Sequence, residues 1–307
     1  MEAAPLGRTG IAIGRVGFGC AAIGGYDYGA ADDRESLAAA QAALDAGVTF
    51  FDTADVYGLG HAEEVLGRAL AGRVSDVVVA TKVGVRWDAS GRTTRDLSPA
   101  WVVEALEGSL KRLGVDCIPL YQLHWPDPAT PLAETLAALE RCREAGKIRH
   151  LGCCNFPLEL VEAAQASGRL ESVQVPLSLA QGEWVSAASA CVSRWGMSVL
   201  CYNSLAQGLF GGRYHGSTTF SSDDLRSRST LFQGGQKEHN LAILERVRVV
   251  AARLDRSPAE VAIRWVLDQP SVTCAIAGAR RAEQVQQNVR AAGWRLTAAD
   301  AHYLSEG

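Results

Sequence analysis

The sequence predicts a (β/α)8 TIM barrel with an N-terminal hairpin and extra C-terminal helices. Three observations carry this. Short β-rich runs alternate with longer runs rich in Ala, Leu, Glu and Arg along the whole chain, the pattern of a parallel sheet covered by helices. Eight strand–helix units follow one another without a break, and eight is the number that closes a barrel. The early glycines Gly14, Gly17 and Gly19 do not open a helix, because Cys20 to Ala31 reads as loop. That disfavours a doubly wound open sheet with a Gly-rich first turn.

The elements follow in order. Leu6-Gly7-Arg8-Thr9-Gly10-Ile11 sets turn residues between apolar ones and is predicted to be a small hairpin closing the barrel bottom. Val16–Gly19 is the first strand. Glu35–Ala46 is a helix with one apolar face and Gly47 as its stop. Thr49–Asp52 is a strand, Glu63–Ala71 a helix and Val77–Lys82 a strand. Ser98-Pro99 caps and opens a helix that runs to Leu113 and ends at Gly114. Ile118–His124 is a strand, Leu132–Glu144 a helix stopped by Gly146, and Ile148–Gly152 a strand. Leu158–Ala166 is a helix closed near Gly168. Val173–Val175, Trp184–Arg194 and Val199–Tyr202 are strand, helix and strand. A polar Gly/Ser-rich stretch runs from Gly208 to Gln236. Two helices follow, His239–Leu254 and Ser257–Asp268, the second opened by Ser257-Pro258. Thr273–Ala277 is the eighth strand and Ala282–Ala292 the last helix.

Composition narrows the function. Of 307 residues, 48% are hydrophobic and 21% charged, which excludes wholesale disorder. No low-complexity linker or charge block divides the chain, so residues 1–307 are expected to form a single domain. The net charge of −4 supplies no basic field for nucleic acid or an anionic membrane, and neither partner is expected. No run approaches the length of a membrane span, and the N-terminus lacks a secretory signal's apolar core. The eight cysteines form no C-x-x-C pair. Reduced thiols in a cytoplasmic protein are the expectation, with Cys117, Cys191, Cys201 and Cys274 read as small buried hydrophobes.

In a barrel enzyme the chemistry sits where the strands end. Here the second strand ends in Asp52, the third in Lys82 and the fourth in His124. Side chains alternate along a strand, so Phe50/Asp52, Val78/Ala80/Lys82 and Leu120/Gln122/His124 each share a face. Tyr57 follows Asp52 in the loop above the same edge. Each residue alone has an ordinary structural reading: a cap, a solvated amine, a core histidine, a packing tyrosine. Together they would be costly to bury unless paired, and together they have a use. Lys82 beside the Tyr57 hydroxyl is expected to lower its pKa, with Asp52 paired to Lys82. His124 would orient a carbonyl or pass a proton. Such a tyrosine is a general acid. No His/Cys/Asp cluster has metal spacing.

The residues 51–58 (Phe-Asp-Thr-Ala-Asp-Val-Tyr-Gly), Thr81-Lys82-Val83-Gly84, Leu113-Gly114-Val115-Asp116 and Leu120–Pro126 resemble signatures of the aldo-keto reductase superfamily, and further matches run in order to Asn288. The resemblance implies a (β/α)8 barrel that reduces aldehydes and ketones with NADPH, or runs the reverse oxidation with NADP+. It implies Asp52, Tyr57, Lys82 and His124 as the catalytic tetrad. By similarity Asn155, Gln174 and Tyr202 hold the nicotinamide, and Asn203, Ser204, Leu205, Gly208, Leu209 and Arg213 follow the pyrophosphate. Gly278, Arg280, Gln284, Gln287 and Asn288 match the adenosine end. Arg280 sits near a 2′-phosphate, with Arg213 and Arg226 reaching in from the facing loop and Arg281 as a substitute. No acidic residue precedes Glu283 in the eighth-strand loop to repel that phosphate.

Two departures from the pattern stand out. Cys154 replaces the serine usual before the nicotinamide-binding Asn, and a thiol is the poorer hydrogen-bonding group. Asn203-Ser204-Leu205 replaces Ser-Pro-Leu. Cys153-Cys154 forms an adjacent thiol pair, for which a redox switch is the alternative to simple burial. The substrate is expected to be a small carbonyl compound, with Tyr26, Tyr28, Trp87 and Trp125 as pocket walls. Oligomeric state is not legible. The same motifs leave two alternative functions open, a cofactor-binding regulatory subunit and a reductase of an unsaturated sugar or other biosynthetic intermediate.

Overall fold

The computed structural model describes residues 2–306 other than 26–28, 30, 168–169 and 223. The chain opens with a hairpin, β1 (Ala3–Pro5) against β2 (Ala12–Gly14). Then come β3 (Val16–Gly19), α1 (Asp33–Asp45), β4 (Phe50–Asp52), α2 (His61–Ala69) and β5 (Val78–Val83). A second hairpin, β6 (Val85–Trp87) with β7 (Thr93–Arg95), precedes α3 (Pro99–Leu113) and β8 (Ile118–Leu123). The order continues with α4 (Leu132–Glu144), β9 (Ile148–Cys154), α5 (Leu158–Ser167), β10 (Leu170–Pro176), α6 (Val185–Trp195) and β11 (Ser198–Tyr202). It ends with α7 (Gly234–Leu254), α8 (Pro258–Asp268), β12 (Val272–Gly278), α9 (Ala282–Val289) and α10 (Ala298–Glu306). Eight parallel strands close a barrel in the cyclic order β3-β4-β5-β8-β9-β10-β11-β12, as the alternation of runs predicts.

The helix ends follow the chemistry of their caps. Asp32 caps α1 through the Arg34 and Glu35 amides, so the helix begins at Asp33, two residues before the expected Glu35. Ser98 and Ser257 cap α3 and α8, each followed by Pro, and α8 has a reciprocal Ser257–Glu260 capping box. Two elements escape the sequence reading. The β6–β7 hairpin has only three residues a strand, too few for the Val85-Arg86-Trp87 alternation to announce it, and α10 is a short helix beyond the last predicted one. The helix expected to reach Ala292 stops at Val289. The proposed stop at Gly168 lies outside the described residues.

The core has two layers. A large one fills the space between strands and helices. The smaller lies inside the barrel: Phe50, Val78, Ala80, Leu120, Leu200, Cys274 and Ile276, plugged from below by Leu6 and Ile13 of the hairpin. This confirms the alternation: the same strand faces carry Asp52, Lys82 and Gln122 one step further up. All eight cysteines are free. Seven are buried, but Cys117 is only partly so, against expectation, because it sits just before β8 rather than within it.

Candidate active site

Above the apolar plug the barrel interior turns polar. Lys82 and Asp52 meet at 2.7 Å, with the lysine side chain fully buried. An ammonium has three N–H donors, and all three are used: Asp52 Oδ2, the Thr53 carbonyl at 2.8 Å and the Tyr57 hydroxyl at 3.4 Å. Tyr57 sits edge-on to His124, with ring centroids 5.8 Å apart. The four residues singled out at the strand ends therefore converge.

Local backbone geometry places Tyr57. The turn at Tyr57–Gly60 puts Gly58, Leu59 and Gly60 in the left-handed region. A side chain on Gly58 would strike the Gly24 carbonyl, since a Cβ there would lie 2.3 Å from that oxygen. The loop bearing the tyrosine is thus held against the segment after β3, backbone to backbone.

Electrostatics differ from the expectation in one respect. Burial pushes the Tyr57 phenol up, and Lys82 opposes this without reversing it. The lysine lowers the tyrosine pKa relative to a site without it, but the net direction is upward, because both groups leave water together. Burial works against the Lys82 ammonium too, yet Asp52 overrides it and the lysine is held charged. His124 is driven well down by burial and by Lys82, so its ring is neutral, and Nδ1 has no hydrogen-bond partner.

A buried polar network continues sideways. Gln174 Nε2 donates to Asp52 Oδ1 at 2.7 Å, and its Oε1 accepts from the Cys154 thiol at 3.6 Å. The thiol sulfur accepts from Asn155 Nδ2 at 3.1 Å, and Tyr202 donates to Asn155 Oδ1 at 2.8 Å. Asn155 takes a left-handed φ of 61° as the chain leaves β9, a conformation Asn tolerates. Burial pushes the Cys154 thiol up to about 12 and Cys153 well up also, burial acting first and Cys191 after it. Neither is a ready thiolate.

A cavity of about 570 Å³ runs from Asp52 and Tyr57 past Tyr202, Asn203, Ser204, Leu205 and Gly208 to Arg213, Arg226, Gly278, Arg280 and Gln284. Cys154, Asn155 and Gln174 lie beneath its floor, nearly or wholly buried. Leu209 packs into the core instead, and Asn288, also buried, donates to the Gly278 carbonyl. Gln287 is half-buried outside the cavity wall. Trp87 packs edge-on against Trp101, and Trp125 lies alongside His124 with Arg95 over its ring. Neither tryptophan lines the cavity. Tyr26 and Tyr28 lie outside the described residues. A wider cleft of about 930 Å³ between α2 and α3 contains none of the strand-end groups.

The cation end of the cavity is more crowded than the sequence suggests. Arg226 is held by Asp224 through paired bonds. Arg280 donates to the Ala22 and Gly29 carbonyls. Gln284 Oε1 accepts the Arg280 and Arg281 amides and so caps α9. Carboxylates do approach, from α1 rather than from the β12 loop. Asp32 and Glu35 line an adjoining pocket of about 360 Å³ together with Arg213, Arg280 and Arg281, and Glu35 pairs with Arg281 at 3.4 Å. Arg213 makes no hydrogen bond or ion pair with the described residues. A long cleft with cations at one end and an aromatic ring beside a proton donor at the other suits a dinucleotide with a terminal phosphate.

Comparison with known proteins agrees with the barrel fold. An aldo-keto reductase of Bacillus subtilis, YhdN, is 37% identical over 303 residues, covering 98% of this chain and 91% of the relative. An aldo-keto reductase of Schizosaccharomyces pombe designated for NADP(+) is 30% identical, covering 95% and 87%. Among solved structures, the glycerol dehydrogenase of Gluconobacter oxydans superposes with a TM-score of 0.91 at 36% identity, covering 99% of this chain and 94% of that one. The holo form of an aldo-keto reductase from Bacillus halodurans gives 0.80 at 27% identity, covering 100% and 96%. No helix among the described residues is long and apolar enough to cross a membrane. The family model for the aldo/keto reductases matches residues 15–306, and the chain belongs to the aldo/keto reductase family of oxidoreductases.

Proposed function

We propose that the protein is an NADPH-dependent carbonyl reductase, acting on a small aldehyde or ketone or on the corresponding alcohol in reverse. The carrying observation is the Lys82 ammonium, which spends one donor each on Asp52, the Thr53 carbonyl and the Tyr57 hydroxyl. Bound NADPH supplies the hydride. Tyr57 gives the carbonyl oxygen its proton, and Lys82 stabilises the phenolate that this leaves. Asp52 keeps Lys82 charged and in place. His124, neutral and edge-on to Tyr57, orients the carbonyl. Tyr202 and Asn155 seat the nicotinamide, with Cys154 and Gln174 supporting that seat from below. Arg213 and Arg280 face the 2′-phosphate, where an arginine's paired, permanently charged donors suit phosphate oxygens. Glu35 and Asp32 oppose them, so Arg213, which makes no hydrogen bond or ion pair among the described residues, contributes most to the preference for NADPH.

Tyr57→Phe tests the assignment. Carbonyl reduction should fall by roughly 10²–10⁴-fold, the usual worth of general acid catalysis, while NADPH binding, followed by fluorescence titration, stays near wild type. A near wild-type kcat under conditions where hydride transfer limits the rate would remove Tyr57 from the role. Comparing kcat/KM for NADPH and NADH tests the cofactor choice, and equal use of both would defeat it.

A further inference from the structure

Three neighbouring barrel strands carry a buried device that the reading above does not use. Gln122 on β8, Gly152 on β9 and Ser172 on β10 lie in register across the barrel wall. All three face inward just below Asp52. Gln122 and Ser172 are fully buried. The middle strand has no side chain here, and the gap is filled from both sides. A Cβ on Gly152 would lie 2.2 Å from Ser172 Oγ and 3.1 Å from Gln122 Cγ. Through that gap Ser172 Oγ donates to Gln122 Oε1 at 3.5 Å. A hydroxyl engaging the amide oxygen fixes which way the amide points. Its Nε2 is thereby turned to Asp52 Oδ1, 3.4 Å away.

We propose that Gln122, oriented by Ser172 across the side-chain-free position of Gly152, is a positioning residue for Asp52 in carbonyl reduction. It touches neither Tyr57 nor the cavity. It acts by holding the carboxylate whose other oxygen anchors Lys82, so the inference rests on the tetrad reading given above. Gln174 donates to the same oxygen, but its own carbonyl leans on a thiol, a weaker donor than the hydroxyl behind Gln122. Gln122 thus supplies the second, independently anchored amide that stops the carboxylate from rotating off the lysine.

The test is a double-mutant cycle on kcat for reduction of an aldehyde from a screening panel, with NADPH binding measured alongside. Gln122→Met keeps the side-chain length and removes the amide. A hydrogen bond to a charged group is worth enough for a tenfold effect or more, and at 3.4 Å with a shared acceptor a fall of about fivefold to tenfold in kcat is expected, with the NADPH dissociation constant unchanged. In an Asp52→Ala background the same substitution should change kcat by less than about twofold, because the group it positions is gone. A merely structural role would lower kcat equally in both backgrounds and would overturn the proposal, as would a Gln122→Met enzyme within twofold of wild type. Ser172→Ala is the second variant and carries the test if Gln122→Met does not fold. It should lower kcat about threefold in wild type and not at all in Asp52→Ala; equal losses in both would overturn the proposal. Tyr57→Phe is run in parallel. Its failure to reduce kcat would strike the acid assignment, whereas the Gln122–Asp52 cycle is read independently of it.

Discussion

Asp52 and Asp55 stand three residues apart in one motif, and both are buried. Their surroundings are opposite. Asp52 faces the barrel interior and accepts from Lys82, Gln174 and Gln122. Asp55 lies toward α2 and α3, with Glu63 and Arg112 as charged neighbours, and neither of its oxygens has a hydrogen-bond partner. The Val56 N–H approaches the carboxyl without reaching hydrogen-bond geometry. Burial and then the Glu63 charge push the Asp55 carboxyl well above the usual range, toward the neutral acid. Glu63 takes the nearby donors, Thr81 Oγ1 at 2.5 Å and Arg112 Nε at 2.7 Å. Burial is the same on both sides of the strand. What differs between the two carboxyl groups is the number of donors brought to each.

The comparison breaks most visibly at Lys82. Lys82→Met leaves the Asp52 carboxylate buried without its ion partner, and removing one member of a buried pair costs about 3–5 kcal/mol. Urea unfolding should show that loss together with loss of reduction, and a variant of unchanged stability would mean that the Lys82–Asp52 pair does not hold the barrel interior together. Asp55→Asn sharpens the other side. Because the folded pKa of Asp55 lies above its unfolded value of about 3.9, its contribution to stability is whole below that pH and is lost as pH rises. The loss accrues at up to about 1.4 kcal/mol per pH unit until the folded carboxyl ionises. As pH rises above the unfolded value the wild type should therefore lose stability that Asp55→Asn keeps, and parallel pH curves for the two proteins would show that burial does not raise the Asp55 pKa. Gly152→Ala forces a methyl against the Ser172–Gln122 pair, and overpacking of this kind costs about 1–3 kcal/mol, measurable as a lower denaturation midpoint. The smallest effect is at the far end of the Asp52 network. Cys154→Ser replaces a weak donor with a stronger one, and NADPH should bind tighter by about 0.5–1.5 kcal/mol in a fluorescence titration; weaker binding would give the thiol a packing role.

Three of the four clustered residues were legible because strand alternation is strict: Asp52, Lys82 and His124 end neighbouring strands, and the two-residue period puts Gln122 on the face of His124. Tyr57, in a loop, was reached from its place just after Asp52 and from the resemblance. The partners of Gln122 were not legible, since register between strands decides that Gly152 and Ser172 fall beside it, and register is set by barrel closure rather than by any one strand. The Glu63–Arg112 pair joins α2 to α3 across 49 positions, and no local pattern announces it. The loops were least readable. Sequence could name Arg213, Arg226, Arg280 and Arg281 as cations, but not that Asp224 and Glu35 would engage two of them. The strands of the β6–β7 hairpin are too short for hydrophobic periodicity to carry a signal.

The backbone contact between Gly24 and Gly58 bears on how this enzyme can be re-engineered. Two loops that belong to different strand–helix units are stapled where neither has a side chain, and the stapled point adjoins Tyr57. A directed-evolution library seeking new substrates can draw on exposed positions such as 92–95, 217 and 219. At positions 24 and 58 any larger residue pries the two loops apart and moves Tyr57 with them. Those two codons should be held constant, and selected variants should return glycine at both even when they are mutagenised.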